Sequence, residues 1–153
     1  MMTIGVISDT HGLMRPEALE ALQGCGLILH AGDVGKVEVL ERLRAIAPTI
    51  AVRGNVDWGD WGDALAMTEA TDAEGLRLYM LHVLQDLDLD PRVAGFAAVI
   101  SGHTHRASAE VRDGVLYLNP GSAGPRRFSL PVTIARLHLA NGQLSHEIVH
   151  LRV

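Results

Sequence analysis

The sequence predicts an α/β protein whose N-terminal half is a βαβαβ unit and whose second half leans antiparallel. Three observations carry this reading. Short apolar runs at residues 3–8, 27–31 and 49–53 alternate with two segments of helical periodicity. Two-residue turn signals, Asp113-Gly114 and Asn141-Gly142, separate strand-like runs farther along. Several of the apolar runs stop abruptly at Asp, Asn or His beside a glycine, where open α/β sheets hold their ligands.

Taken in order, residues 3–8 read as a buried strand, β-branched at Thr3, Ile4, Val6 and Ile7. Pro16 suits the first position of a helix, where its missing N–H costs nothing. That helix runs through Glu17, Ala18, Leu19, Ala21 and Leu22, and Gly24 stops it. Residues 27–31 give a second strand. A second helix over 36–47 puts Val39, Leu40, Leu43 and Ile46 on one face and a Glu38–Arg42 pair on another, and Pro48 closes it. Residues 49–53 give the third strand, and right-handed crossovers make the three parallel.

Residues 58–66 read as an irregular loop in which Trp58 and Trp61 serve packing rather than a substrate wall. Strands at 67–71 and 76–82 flank an acidic turn. Residues 85–94 read as a helix interrupted by Pro91, with its acids on a solvated face. Another apolar strand covers 96–101, and hairpins at 107–112/115–119 and 131–139/143–151 complete the chain. No repeat, linker or low-complexity tract divides it, so a single domain over 1–153 is expected.

The composition narrows the function. At 153 residues, 48% hydrophobic and 20% charged, the chain is long enough to bury a substantial core. Its net charge of -5 argues against a nucleic-acid partner, which a basic surface would serve. The single Cys25 excludes an internal disulfide, fits a reducing compartment and reads as a buried, inert thiol. No basic leader precedes the first strand and no apolar run approaches a membrane span, so a soluble cytoplasmic protein is expected.

The strand ends carry the chemistry. The first gives Asp9 and His11, the second Asp33, the third Asn55 with Asp57 close behind. Later strands give His82, then His103 and His105. Any one of these has an ordinary explanation, a turn residue or a satisfied core histidine. Seven at five successive strand ends, most beside a glycine, point to metal. Two aspartates, four histidines and one amide ligate two divalent ions if one carboxylate bridges, and Asp33 on the central loop is the candidate bridge. Two-metal hydrolytic centres hold their ions roughly 3.5–4 Å apart, and a hydroxide between them attacks phosphorus. An asparagine suits this site because its carbonyl oxygen binds metal while its NH₂ donates to a phosphoryl oxygen.

Asp9-x-His11, Gly32-Asp33, Gly54-Asn55-x-Asp57, His82 and Gly102-His103-x-His105 together resemble the five blocks of the calcineurin-like metallophosphoesterases. The short chain and Asn119-Pro120-Gly121-Ser122 resemble the small YfcE-type phosphodiesterases in particular. The resemblance implies two packed mixed β-sheets flanked by helices, a four-layer sandwich with the site at one edge. It implies Asp9, His11 and His105 on one metal, Asn55, His82 and His103 on the other, and Asp33 between. The ions would be Mn²⁺ first, with Fe, Ni²⁺ or Zn²⁺ as alternatives. The activity implied is phosphodiester hydrolysis of a small phosphate ester by in-line attack of a bridging hydroxide. Asn55, Asp57 and His103 are then the candidate catalytic residues. A phosphomonoesterase or nucleotide hydrolase on the same site is the alternative, and a catalytically weak metal-binding scaffold is another. Relatives of this kind are often homodimers.

Two positions depart from the family pattern. Val56 stands where many relatives have a histidine that helps protonate the leaving group, and where small members often have cysteine. A valine can neither donate nor accept a proton, and such help is worth about 10²–10⁴ in rate. His82-Val83-Leu84 replaces the usual His-Gly-His, which predicts a different local backbone and a weaker second metal, with His82 the least secure ligand. Arg126 and Arg127 have two open readings, a pair reaching the substrate phosphate or a surface cluster. His30 reads as a core or supporting residue, and His138, His146 and His150 have no assigned role.

Overall fold

A computed structural model describes all 153 residues. The apolar runs become ten strands: β1 (Met2–Ile7), β2 (Leu27–His30), β3 (Thr49–Ala51), β4 (Thr68–Ala73), β5 (Leu76–Leu81), β6 (Ala98–Ile100), β7 (Ser108–Arg112), β8 (Val115–Asn119), β9 (Thr133–Ala140) and β10 (Gln143–His150). Three helices join them, α1 (Pro16–Ala21), α2 (Val37–Arg44) and the one-turn α3 (Asp60–Asp63). Two five-stranded sheets result, in the orders β10-β9-β1-β2-β3 and β4-β5-β6-β8-β7.

The first sheet contains the expected parallel βαβαβ unit, with Val6 beside Leu29 and Leu29 beside Ile50. The last hairpin extends it, β9 running antiparallel to β1. Both sheets are thus mixed, and the second leans antiparallel less than its turn signals suggest. There β5 pairs β6 and β6 pairs β8 in parallel, with antiparallel partners only at the two edges.

Burial follows the strand period of two. Ile4, Val6, Leu27 and Leu29 point inward to meet Leu78, Met80, Ile100 and Leu118 of the second sheet, forming the largest core cluster. The opposite face of the first sheet presents Ile7, Ile28 and Ile134 to Ala18 of α1, to Leu22 just beyond its end and to Val39, Leu40 and Leu43 of α2. These helices sit where predicted because their apolar positions recur at helical spacing. In α2, Glu38 lies in the first turn and Arg42 and Arg44 in the last, each complementing the helix dipole.

The outer face of the second sheet departs from expectation. No α-helix covers residues 85–94; a single 3-10 turn, Leu84–Asp86, leads into turns instead. Asp86, Asp88 and Asp90 alternate with Leu87 and Leu89, a two-residue period that no helix face can use. Asp is also a poor helix former, and Pro91 biases Asp90 away from helical angles. Leu84, Leu87, Leu89 and Ala94 still reach Tyr79, Leu81 and Phe96, so this irregular layer seals the sheet without a helix. No helix of the chain is long and apolar enough to cross a membrane.

Candidate metal centre

The carboxyl ends of β1, β2, β3, β5 and β6 converge at one edge of the sandwich. The loops there are laced by backbone hydrogen bonds: Asp9 N–H donates to the Gly32 carbonyl, His11 to Asp33, Gly12 to Val34 and Gly102 to His82. Five candidate ligands, Asp9, His11, Asp33, His103 and His105, adopt positive φ between 47° and 76°. Asp and His tolerate this region better than most residues, yet each such residue costs of order 1–3 kcal/mol and persists where its surroundings over-determine it. Glycines make the close approach possible. A Cβ on Gly54 would overlap the Asp33 backbone and carboxylate, and one on Gly102 would overlap Ser8 and Asp9.

Two tight groups form, Asp9-His11-His105 and Asp9-Asp33-His82, each with ligand atoms within 4.8 Å of one another. His105 Nε2 lies 3.4 Å from Asp9 Oδ1, and His11 Nε2 lies 3.8 Å from it. Asp33 Oδ2 stands between the groups, 3.6 Å from His11 Nε2 and 3.2 Å from His82 Nε2. Asn55 and His103 sit apart from these groups, at the exposed mouth, with the Asn55 amide 3.4 Å from His103 Nδ1. The His103 ring meets His82 edge-on, centroids 5.3 Å apart.

The donors' orientation is set from behind. Ser8 donates to Asp9 Oδ2 at 2.6 Å and the His103 amide at 3.1 Å, which leaves Oδ1 facing the histidines. His82 Nδ1 donates to the Ala31 carbonyl at 2.7 Å, which turns Nε2 toward Asp33 and Asp9. An outer hydrogen bond fixing a histidine's tautomer in this way is the usual support of a metal ligand. Val83 has φ of -108°, an ordinary extended value, so no glycine is needed after His82.

Electrostatics favour a cation. Asp9 Oδ1, His11 Nε2 and His82 Nε2 are buried with no hydrogen-bond partner, although they face one another, and His105 Nδ1 on the far side of its ring is likewise unpartnered. A buried polar atom left unpaired costs about 1–3 kcal/mol. Burial pushes the Asp9 carboxyl up. Asp33 goes the other way: burial is outweighed by the His82 imidazole 3.2 Å away and by the hydrogen bond from the Val56 amide, which hold it well below the usual carboxylate range. At His82 burial opposes the charge, but Asp33 and the Ala31 carbonyl raise the ring above its ordinary value. Burial pushes His105 down against the pull of Asp9, and Arg127 adds to the depression. Two carboxylates and three imidazoles turned inward satisfy one another poorly, and divalent ions would answer all of them.

Asp57 has a different place. Only 2% exposed, it accepts the Val34 and Gly54 amides on Oδ2 at 3.1 and 2.9 Å and the Gly35 amide on Oδ1 at 2.9 Å. It ties the Asp33 loop to the Asn55 loop and does not face the mouth. Val56 donates its amide to Asp33 Oδ1 at 3.1 Å while its side chain is 39% exposed. Residues 60–63 form the one-turn α3 rather than loop; Trp61 within it packs on the helical core as expected, whereas Trp58, expected to pack, is 74% exposed. His30 is buried between the Gly32 amide and Thr10 Oγ1, a supporting residue as expected.

Sequence reasoning overlooked Ser8 and Thr10 and gave Asn119 and Ser122 no part in holding the site. Asn119 donates to the Gly102 carbonyl and Thr104 hydroxyl and accepts the Gly121 amide, pinning the His103–His105 loop. Ser122 donates to the Asp9 carbonyl. The available signal was a polar residue abutting an apolar strand, which burial alone explains.

The family model of the calcineurin-like phosphoesterase superfamily domain matches residues 2–142. The chain belongs to that superfamily. A probable metallophosphoesterase of Methanothermobacter thermautotrophicus is 33% identical over 97% of this chain and 92% of its own. Among solved structures, the Escherichia coli phosphoesterase YfcE is 25% identical, with a TM-score of 0.71 over 99% of this chain and 100% of its own. An archaeal phosphodiesterase has a TM-score of 0.79 at 24% identity, covering 97% of this chain and 100% of its own. The calcineurin-like assignment agrees with the five motif blocks, and the two mixed sheets are the sandwich it implies.

Proposed function

We propose that this protein is a metal-dependent phosphodiesterase acting on a small phosphate ester through a dinuclear site. The observation that carries the reading is the set of buried, unpartnered Asp9 Oδ1, His11 Nε2 and His82 Nε2 atoms gathered around the Asp33 carboxylate. Asp9, His11 and His105 would hold one ion, and His82, Asn55 and His103 the other, with Asp33 shared. When bound, such ions polarise a phosphoryl oxygen and supply a nucleophilic water near neutral pH.

The chain's own residues do the rest. Asn55 and His103, the two exposed members, would meet the phosphoryl group, with the Asn55 NH₂ as a donor to a non-bridging oxygen. Asp57 acts through the two loops it ties, keeping Asn55 in register with Asp33. Val56 brings no proton to the mouth, so the preferred esters are those whose leaving group needs little protonation. The archaeal phosphodiesterase neighbour favours the diester over the monoester reading.

Hydrolysis of bis(p-nitrophenyl) phosphate by chelator-stripped protein, with and without Mn²⁺, tests this. Turnover is expected only with metal and is lost in Asp33→Ala, with about two ions bound per parent chain. Stoichiometric metal without turnover would replace the enzyme reading by a metal-binding scaffold. Failure to bind metal would overturn the site.

A further inference from the structure

Beside His11 and His105 the surface opens into a pocket whose remaining wall is Pro125, Arg126, Arg127 and Phe128. We propose that Arg127 and Phe128 form a recognition arm for phosphate esters bearing a planar aromatic substituent. The inference rests on the phosphoesterase reading for its anion and adds the part of the ligand beyond phosphorus.

The arm is built rather than loose. Arg126 donates to the Leu130 carbonyl and to a main-chain oxygen of Val153, at 3.4 Å each, tying the loop to the segment that follows β10. The Leu130 amide donates to the Arg127 carbonyl at 3.1 Å and closes a four-residue turn. Phe128 occupies the second position of that turn with φ of 56° and stands 88% exposed. For a bulky aromatic residue this is unfavourable twice over, in backbone conformation and in hydration. Glycine or asparagine would satisfy the turn at less cost.

Arg127 differs from its neighbour. It is exposed, and none of the chain's arginine ion pairs, which use Arg53, Arg77, Arg112 and Arg136, engages it. A planar guanidinium with five free donors beside an exposed ring, on one wall of a pocket that contains two site histidines, matches an anion with an adjacent π-face. Arg127 would take a non-bridging phosphoryl oxygen and Phe128 would stack on the ring. That ring comes either from an aryl ester or from a nucleobase.

Calorimetric titration of the Mn²⁺-loaded protein with phenylphosphonate and with methylphosphonate tests the arm without requiring turnover. Stacking on an aromatic side chain strengthens binding, and about tenfold tighter binding of the phenyl ligand is expected. Phe128→Leu should abolish that preference, and Arg127→Ala should weaken both ligands. Uridine 5′-monophosphate separates the sources: tighter binding than phenylphosphonate selects nucleoside esters, and weaker binding selects aryl esters, both keeping the arm. Equal affinity of the parent for the two phosphonates, or a preference that survives Phe128→Leu, overturns the inference. If the preference holds while bis(p-nitrophenyl) phosphate is not turned over, the phosphodiesterase reading falls and the arm stands.

Discussion

Asp57 offers the sharpest test of how the site is held. Its carboxylate accepts three backbone amides from two loops, and Asp57→Ala removes all three acceptors at once. Hydrogen bonds to charged groups contribute roughly 1.5–3 kcal/mol each. The Val34 amide is buried and would lose its partner outright, whereas those of Gly35 and Gly54 are only part-buried and water can replace the carboxylate there. Counting one bond in full and two in half gives a loss of about 4 kcal/mol. For a domain of this size that lowers Tm by roughly 8–16 °C.

Thermal unfolding of chelator-treated protein, followed by circular dichroism, measures this without any contribution from metal. Asp57→Asn keeps one acceptor oxygen but turns an NH₂ toward backbone donors, so it should recover less than half of the loss. A Tm within about 2 °C of the parent would refute the loop-tying role. If turnover nevertheless disappeared in that variant, Asp57 would be handling a proton instead.

Three further outcomes are expected. Val56→His should raise turnover of an ester with a poor leaving group by at least about tenfold, with little change for p-nitrophenyl esters; equal rates on both would remove the leaving-group argument. Burial lowers the His30 pKa from 6.5 to about 4, and the Gly32 amide already occupies its Nδ1. Between those values the unfolded chain binds a proton that the folded one refuses, so His30 contributes a loss of about 3 kcal/mol as pH falls from 6.5 to 4, and denaturant titrations of metal-free parent and His30→Gln with the same pH dependence would contradict it. Cys25 is 7% exposed with its thiol pushed up by burial, so a thiol reagent should label it only after unfolding, and rapid labelling of native protein would show that the α1 end opens.

Much of this molecule is legible in the sequence because each level repeats the same message. Val39, Leu40 and Leu43 recur at helical spacing and all three are buried. The Asp113-Gly114 turn joins β7 to β8, with Arg112 paired to Val115. Residues 85–94 carry a weaker signal because Leu87 and Leu89 alternate with acids, and a short stretch of that kind is ambiguous until it is known which surface it must cover. The parallel pairing of β6 with β8 was invisible for a similar reason: strand order is decided by which faces meet across the core. At the site, the motifs name ligand types but not the support. The motif blocks set Asp33 apart as a ligand, but nothing in the string shows that Asp57 is spent on amides while Asp33 keeps an oxygen facing two histidines.

That difference explains how an acidic chain can hold so strained an edge. Five residues with positive φ would be expensive in a free loop. Here the Asp9, His11, Gly12 and Gly102 amides each find a carbonyl in the next loop, while Asp57, Asn119 and Ser122 bind the loops from beneath. Their geometry is therefore fixed by groups that face away from the mouth. What remains uncompensated is Asp9 Oδ1, His11 Nε2, His82 Nε2 and His105 Nδ1, and the first three are atoms that a divalent ion would satisfy. Metal should accordingly stabilise the fold by binding a site already shaped. On this logic Asn119→Ala should weaken metal affinity through the His103–His105 loop without touching an ion, and Thr104→Ala should do so less, because Asn119 would still hold the Gly102 carbonyl.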